Sequence, residues 1–114
     1  MHEVGLVSSA VDIAVESATK AGALAITRIR MRIGSLSGVV PSALEFAFEC
    51  VVRETMAEGA TFEYEIVPVR CRCPVCKTEF RPETAVYRCP NCGEISTELI
   101  SGRELQVVDI EVEQ

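Results

Sequence analysis

Cys73-Pro74-Val75-Cys76 and Cys89-Pro90-Asn91-Cys92 are two C-x-x-C turns separated by twelve residues. Each turn presents two thiolates on one side, and two facing turns make a tetrahedral sulfur cage that suits Zn²⁺. The prolines fix φ after the first cysteine of each turn, and Gly93 supplies the left-handed residue that is common after the second. Four thiolates leave no open coordination position, so the spacing predicts a structural zinc site. Its predicted ligands are Cys73, Cys76, Cys89 and Cys92. Rubredoxin-type iron is the competing occupant, because soft sulfur cages accept either metal.

Composition limits the class of protein. The chain has 114 residues, is 48% hydrophobic and carries a net charge of −6, which argues against general nucleic-acid binding. No apolar run is long enough to span a membrane, and the first twenty residues lack the basic start of a signal peptide. Six cysteines without an export signal predict a reduced, cytoplasmic metalloprotein rather than a disulfide scaffold.

The N-terminal tripeptide Met1-His2-Glu3 contains the only histidine in the chain. A bulky second residue favours retention of Met1, whose α-amine titrates near pH ~8 and can lose its proton to a metal. The His2 imidazole can chelate together with that amine and the intervening backbone nitrogen. The Glu3 amide nitrogen would complete a square plane, which favours Ni²⁺ or Cu²⁺ over Zn²⁺. The alternative interpretation is a solvated or capping histidine at a frayed end.

Hydrophobic periodicity predicts two helices and three strands outside the cysteine region. The helices cover residues 4–20 and 41–54, and the strands cover residues 24–33, 61–69 and 104–112. The residues predicted for the inner face of the first helix are Leu6, Ala10, Ile13, Ala14 and Ser17, with Val7, Val11 and Ala18 beside them. The second helix is predicted to bury Leu44, Ala47, Phe48 and Val51, with Phe46 and Cys50 alongside.

Alternating arginines mark the first strand, whose other face carries Ile29, Met31 and Ile33. The arginine row either binds nucleic acid or phosphate, or it forms ion pairs with an acidic row on a neighbouring strand, an arrangement that we call a charge ladder. The other two strands carry acidic rows, and opposite charges on paired strands stabilise each other. We therefore place the arginine strand beside at least one acidic strand.

These elements predict an α+β fold: a small mixed three-stranded sheet packed against two helices, with an inserted four-cysteine zinc-ribbon-like domain. Residues 1–69 and 103–114 would form the α/β domain, and residues 70–102 the zinc domain. The strand–helix–strand order of residues 24–69 suits parallel pairing of its two strands.

Five of the eleven basic residues lie between residues 70 and 88. A zinc ion bound by four thiolates carries a charge of −2, which nearby cations offset. The functional alternative is a zinc ribbon bound to RNA or DNA, although Phe80 and Tyr87 offer little surface for base stacking. Cys71 is predicted to be a spare thiol, since its side chain should point away from Cys73 in an extended segment.

Taken together, the chain resembles the HypA family of nickel-incorporation proteins in NiFe-hydrogenase maturation. The resemblance covers the whole chain. It is carried by Met1-His2-Glu3, Ile33-Gly34-Ser35-Leu36-Ser37, the two C-x-x-C turns and the closing run from Gly102 to Glu113.

The resemblance implies a nickel metallochaperone and not an enzyme. The family's nickel site maps onto the Met1 amine, the His2 imidazole and the backbone nitrogens of His2 and Glu3, and its structural zinc onto the four cysteines. It implies the GTPase HypB and the hydrogenase large-subunit precursor as partners, with no nucleic acid and no membrane, and a monomer or weak homodimer. Some relatives also serve urease.

Overall fold

A computed structural model describes residues 3–96 and 98–114. Its helices are α1 (Glu3–Lys20) and α2 (Pro41–Val51). The strands are β1 (Ala25–Gly34), β2 (Thr61–Val67), β3 (Arg70–Arg72), β4 (Glu79–Phe80), β5 (Glu98–Ser101) and β6 (Leu105–Glu113). Each helix and strand predicted outside the cysteine region is present, and their ends differ from the prediction by no more than three residues.

Strand β1 is the centre of a three-stranded sheet with the order β2-β1-β6. Its arginines face acidic partners on both neighbours, which confirms the predicted charge ladder. The pairs are Arg28 with Glu63 and Glu111 (both 3.5 Å), Arg30 with Asp109, and Arg32 with Glu65 (3.9 Å). Along β1 the partner numbers rise on β2 and fall on β6, which is the order of one parallel and one antiparallel neighbour. The sheet is therefore mixed, as predicted.

The inward face of β1 is buried as its alternation predicts. Ile29, Met31 and Ile33 are at most 2% exposed. Helix α1 packs against α2 and β6. Helix α2 also contacts β2, because the rings of Phe48 and Phe62 stack with their centroids 4.6 Å apart.

Four positions predicted for the apolar faces of the helices are exposed: Ile13, Ser17, Phe46 and Cys50. Ile13 is 58% exposed, whereas Leu6, Ala10 and Ala14 of the same helix are buried. Cys50, predicted to be a small buried hydrophobe, is exposed. In both helices the apolar arc is wider than the face that the fold covers, so residues at the edge of the arc remain in solvent.

The cysteine region contains a second three-stranded sheet, with the order β4-β3-β5. Both pairings are antiparallel, and the register of β3 against β5 shifts between Arg70 and Cys71. The buried side chains of this region form a cluster of Cys71, Cys73, Phe80 and Cys89. Its core is thus made mainly of sulfur-bearing side chains.

The chain divides into two compact units. The first contains Met1–Arg32, Gly38–Glu65 and Leu105–Gln114, and the second contains Ile33–Ser37 and Ile66–Glu104. The boundaries of these units differ slightly from those of the predicted domains, which are residues 1–69 with 103–114 and residues 70–102. The domain division of the sequence analysis stays a prediction. Among residues 3–96 and 98–114, no helix is both long and apolar enough to cross a bilayer.

Candidate metal centres

The four cysteines of the two C-x-x-C turns come together in the second unit. Their sulfur atoms all lie within 4.8 Å of one another. The Sγ atoms of Cys73 and Cys92 are 3.4 Å apart, and those of Cys76 and Cys89 are 3.6 Å apart. A tetrahedral ion with metal–sulfur bonds of about 2.3 Å needs sulfurs about 3.8 Å apart. The four thiols therefore fit a tetrahedral metal ion.

The first turn is shaped by two backbone hydrogen bonds. The Cys73 N–H donates to the Thr78 carbonyl at 2.9 Å, and the Lys77 N–H donates to the Cys73 carbonyl at 3.0 Å. Lys77 has a positive φ of 67°, and its ammonium donates to the Pro74 carbonyl at 3.1 Å. A left-handed lysine is strained, and this side-chain contact helps to hold it in place.

The second turn repeats this pattern. The Cys89 N–H donates to the Glu94 carbonyl at 2.8 Å, and the Gly93 N–H donates to the Cys89 carbonyl at 2.9 Å. Gly93 takes the position of Lys77, with a φ of 80° that glycine adopts without strain. The Arg88 guanidinium closes the turn by donating to the Gly93 carbonyl at 2.9 Å. The two turns are thus near-copies that present their sulfurs to a common centre.

The thiols of the cage differ in acidity. The Asn91 side-chain amide, followed by the Thr78 hydroxyl and backbone, lowers the pKa of Cys76 to about 5. The Glu94 backbone hydrogen bond lowers the pKa of Cys92, but hydrogen bonds with the other cage cysteines, Cys73 foremost, and partial desolvation outweigh it and raise that pKa to about 12. Of these two thiols Cys76 is the more acidic, and binding of a metal ion by all four cysteines would release protons. The sequence analysis missed Asn91 and Thr78, although an amide inside a C-x-x-C turn is a usable signal.

The four cysteines differ in exposure, so the cage lies near the surface of the second unit. Cys73 and Cys89 are buried, Cys76 is half-buried and Cys92 is exposed. A set of four thiols fills every position of a tetrahedral ion, so this site offers no place for a substrate or an activated water. Its chemistry is that of a structural metal site.

Cys71 lies outside this group of four. Its thiol is fully buried beside Phe80 and Leu99, and burial raises the pKa of Cys71. A buried neutral thiol of this kind packs as a small hydrophobe. This agrees with the prediction of a spare thiol.

Three of the five basic side chains between residues 70 and 88 contact groups within the protein. Arg70 pairs with Glu79 at 3.4 Å, while Lys77 and Arg88 donate to backbone carbonyls of the two turns. The interpretation that these positive charges offset the charge of the cage stays a prediction. The nucleic-acid alternative stays a prediction.

The predicted nickel motif lies only partly within the described residues. Met1 and His2 are outside them. Glu3 is the first residue of α1, and its carboxylate accepts a hydrogen bond of 2.9 Å from the Val40 N–H. Sequence reasoning missed this contact, because it joins residues 37 positions apart and neither carries a local signal for it.

Comparison with known proteins identifies the family. Residues 1–112 match the family model described as hydrogenase/urease nickel incorporation, metallochaperone, hypA. The chain belongs to the HypA family. Hydrogenase maturation factor HypA of Picosynechococcus sp. is 44% identical over 112 residues, covering 98% of this chain and 99% of the relative. HypA of Geobacter metallireducens is 43% identical over 113 residues, covering 99% and 100%.

Solved HypA structures share the fold. The solution structure of the Ni metallochaperone HypA from Helicobacter pylori has a TM-score of 0.70 and 27% identity, covering 99% of this chain and 98% of that chain. The chain is thus a member of a hydrogenase maturation family that handles nickel, with a four-cysteine site able to hold a metal ion.

Proposed function

We propose that this chain is a nickel metallochaperone. It binds Ni²⁺ through Met1, His2 and Glu3 and helps to insert the ion into NiFe-hydrogenase during maturation. A structural zinc ion in the cage of Cys73, Cys76, Cys89 and Cys92 maintains the second unit. The observation that carries the proposal is the match of residues 1–112 to a nickel-incorporation family.

The nickel site uses four nitrogens. They are the Met1 α-amine, the His2 imidazole and the backbone nitrogens of His2 and Glu3. A square plane of nitrogens suits a d⁸ ion such as Ni²⁺. An α-helix does not use the N–H groups of its first turn in its own hydrogen-bond ladder. Because α1 begins at Glu3, binding nickel at that nitrogen breaks no intrahelical hydrogen bond. Nickel affinity falls as pH drops, since the ligands must lose protons to bind.

The cysteine cage is proposed to hold zinc rather than nickel. Four thiolates in a tetrahedral arrangement satisfy Zn²⁺, and Zn²⁺ has no d-electron preference for a plane. Separate donor sets thus keep the resident ion and the cargo apart: sulfur in a tetrahedron for zinc, nitrogen in a plane for nickel.

The proposed partners are the GTPase HypB and the hydrogenase large-subunit precursor. The sequence contains no GxxxxGKS/T phosphate loop, so GTP is expected to be bound by the partner. We propose that the protein acts in the cytoplasm as a carrier, not an enzyme, and is a monomer or a weak homodimer that binds neither nucleic acid nor a membrane.

Nickel titration of zinc-loaded, untagged protein tests this function. The wild type should bind one Ni²⁺, and His2→Ala should lose at least about tenfold in affinity with the imidazole. Two residues added before Met1 should have a similar effect, because they convert the α-amine into an amide. The same two residues added after Gln114 are the matched control and should change nothing. Unchanged nickel affinity in both N-terminal variants would refute the site.

A further inference from the structure

The contact between Glu3 and Val40 joins the start of α1 to the start of α2. The Val40 N–H donates to Glu3 Oε2 at 2.9 Å, and both residues belong to the first unit. Hydrogen bonds to an ionised carboxylate are about twice as strong as those between neutral groups. This contact is solvent-exposed, and it restrains the first residue of α1 relative to the start of α2.

Helix α2 needs a partner at this place. Val40 is its N-cap residue and carries no side chain that can cap, while Pro41 follows at the first helical position and has no N–H. The Glu3 carboxylate reaches across from α1 and accepts the Val40 N–H, one of the N-terminal donors that an α-helix leaves without an intrahelical partner. It also lies in the first turn of its own helix and beside the N-terminus of α2, where helix dipoles favour negative charge.

We propose that the Glu3 side chain is a positioning residue for nickel, acting through Val40 and not by ligation. This inference rests on the proposed nickel site. Glu3 supplies a backbone nitrogen to that site, while its carboxylate fixes the same residue to the N-terminus of α2. Holding one ligand residue in place before the metal arrives lowers the entropy lost when the chelate closes. The contact should therefore raise nickel affinity without entering the coordination sphere.

Four variants test this role in the full-length, zinc-loaded chain. Glu3→Ala removes the acceptor, and Glu3→Gln keeps an acceptor oxygen but loses the charge. Glu16→Ala is the matched control, because Glu16 is an exposed carboxylate of the same helix that pairs only locally with Lys20 at 3.0 Å. His2→Ala reports on the nickel site itself.

Nickel affinity and the ligand-field bands of bound nickel are the two metal readouts. Glu3→Ala should weaken binding roughly tenfold relative to Glu16→Ala, and Glu3→Gln roughly threefold. The bands should stay at the wild-type wavelengths in both Glu3 variants, since the ligands are unchanged. A Glu3→Ala affinity equal to that of Glu16→Ala, or displaced bands, would overturn the positioning role.

The Val40 amide resonance gives a readout without nickel. It should move upfield in Glu3→Gln and stay in place in Glu16→Ala, because only the first change weakens its acceptor. This keeps the proposal testable if Glu3→Ala does not fold, and an unmoved Val40 resonance in Glu3→Gln contradicts the contact. If His2→Ala leaves nickel affinity intact, the nickel site itself is wrong. If His2→Ala abolishes binding while Glu3→Ala matches Glu16→Ala, only the positioning role fails.

Discussion

The two compact units of this chain are stabilised by different contacts. The first buries aliphatic side chains from both helices and from β1, including Leu6, Ile29 and Leu44, each at most 1% exposed. Apart from Ile33 and Val67, the buried hydrophobic side chains described in the second unit are Phe80 and three cysteines. Apolar burial stabilises a unit by itself, whereas four thiols stabilise one only when a metal joins them. We therefore expect the stability of the second unit to depend on metal and that of the first to be independent of it.

The largest expected effect comes from breaking the cage. Cys76→Ser should abolish tight metal binding and unfold residues 66–104, because structural zinc sites of this kind contribute about 10–16 kcal/mol in apparent binding free energy. Amide hydrogen exchange should show loss of protection at β3 and β5, while Ile26 and Ile29 in the first unit stay protected. Cys50→Ser is the control, since that thiol is exposed and lies outside the cage. Loss of protection at Ile26 in the Cys76 variant would contradict the independence of the first unit.

A core truncation in the first unit should destabilise that unit and leave the metal site of the second unit intact. Leu44→Ala removes a side chain that is 0% exposed and should lower the free energy of unfolding by about 2–5 kcal/mol, measured with urea. Phe46→Ala on the same helix removes a larger side chain that is 68% exposed and should stay within about 0.5 kcal/mol of wild type. Zinc content should be unchanged in both. A Phe46 variant as unstable as the Leu44 variant would show that this helix face is covered.

Two glycines, Gly5 in the first unit and Gly34 in the second, allow the effect of an added Cβ to be compared between the units. A Cβ on Gly34 would overlap the backbone carbonyl of Gly102, so Gly34→Ala should destabilise the second unit by about 1–3 kcal/mol. Gly5, inside α1, has open space around it, and Gly5→Ala should stabilise the first unit by about 0.5–1 kcal/mol through helix propensity. Thermal unfolding of the two variants measures both. Equal shifts of the same sign would contradict the close approach of Gly34 to Gly102.

The smallest expected effect is the pH-dependent contribution of the Arg30–Asp109 ion pair to the free energy of unfolding. The hydrogen bond from Arg30 lowers the pKa of Asp109. A depressed pKa contributes stability above the unfolded-state value of about 3.9, and this contribution is lost as pH falls through the folded-state pKa. Asp109→Asn should therefore be less stable than wild type near neutral pH, and the difference should shrink on acidification and in about 1 M salt. Urea midpoints across the pH range give the test, and a difference independent of pH would exclude the ion pair as its source.

The sequence predicted the metal cage and the charge ladder because both depend on short-range patterns. The spacing of Cys73, Cys76, Cys89 and Cys92 places two thiols on each turn, whatever the rest of the fold does. The arginines of β1 alternate, and only strands with acidic rows can face them favourably. Residue types that recur at a fixed spacing can therefore be interpreted from the sequence alone.

Other features depend on contacts between distant parts of the chain. The exposure of Ile13 and Cys50 follows from how far neighbouring elements extend over each helix, which periodicity does not encode. The hydrogen bond from Val40 to Glu3 spans 37 positions and uses a backbone N–H that every residue but proline has. Such contacts become visible only when the fold places the two segments together.

X-ray absorption at the nickel and zinc edges of one doubly loaded sample tests the central claim most directly. We predict that nickel has only light, nitrogen-type neighbours in a plane, and that zinc has four sulfurs at about 2.3 Å. Nickel surrounded by sulfur in the wild type, with zinc displaced from the cysteine cage, would contradict the account.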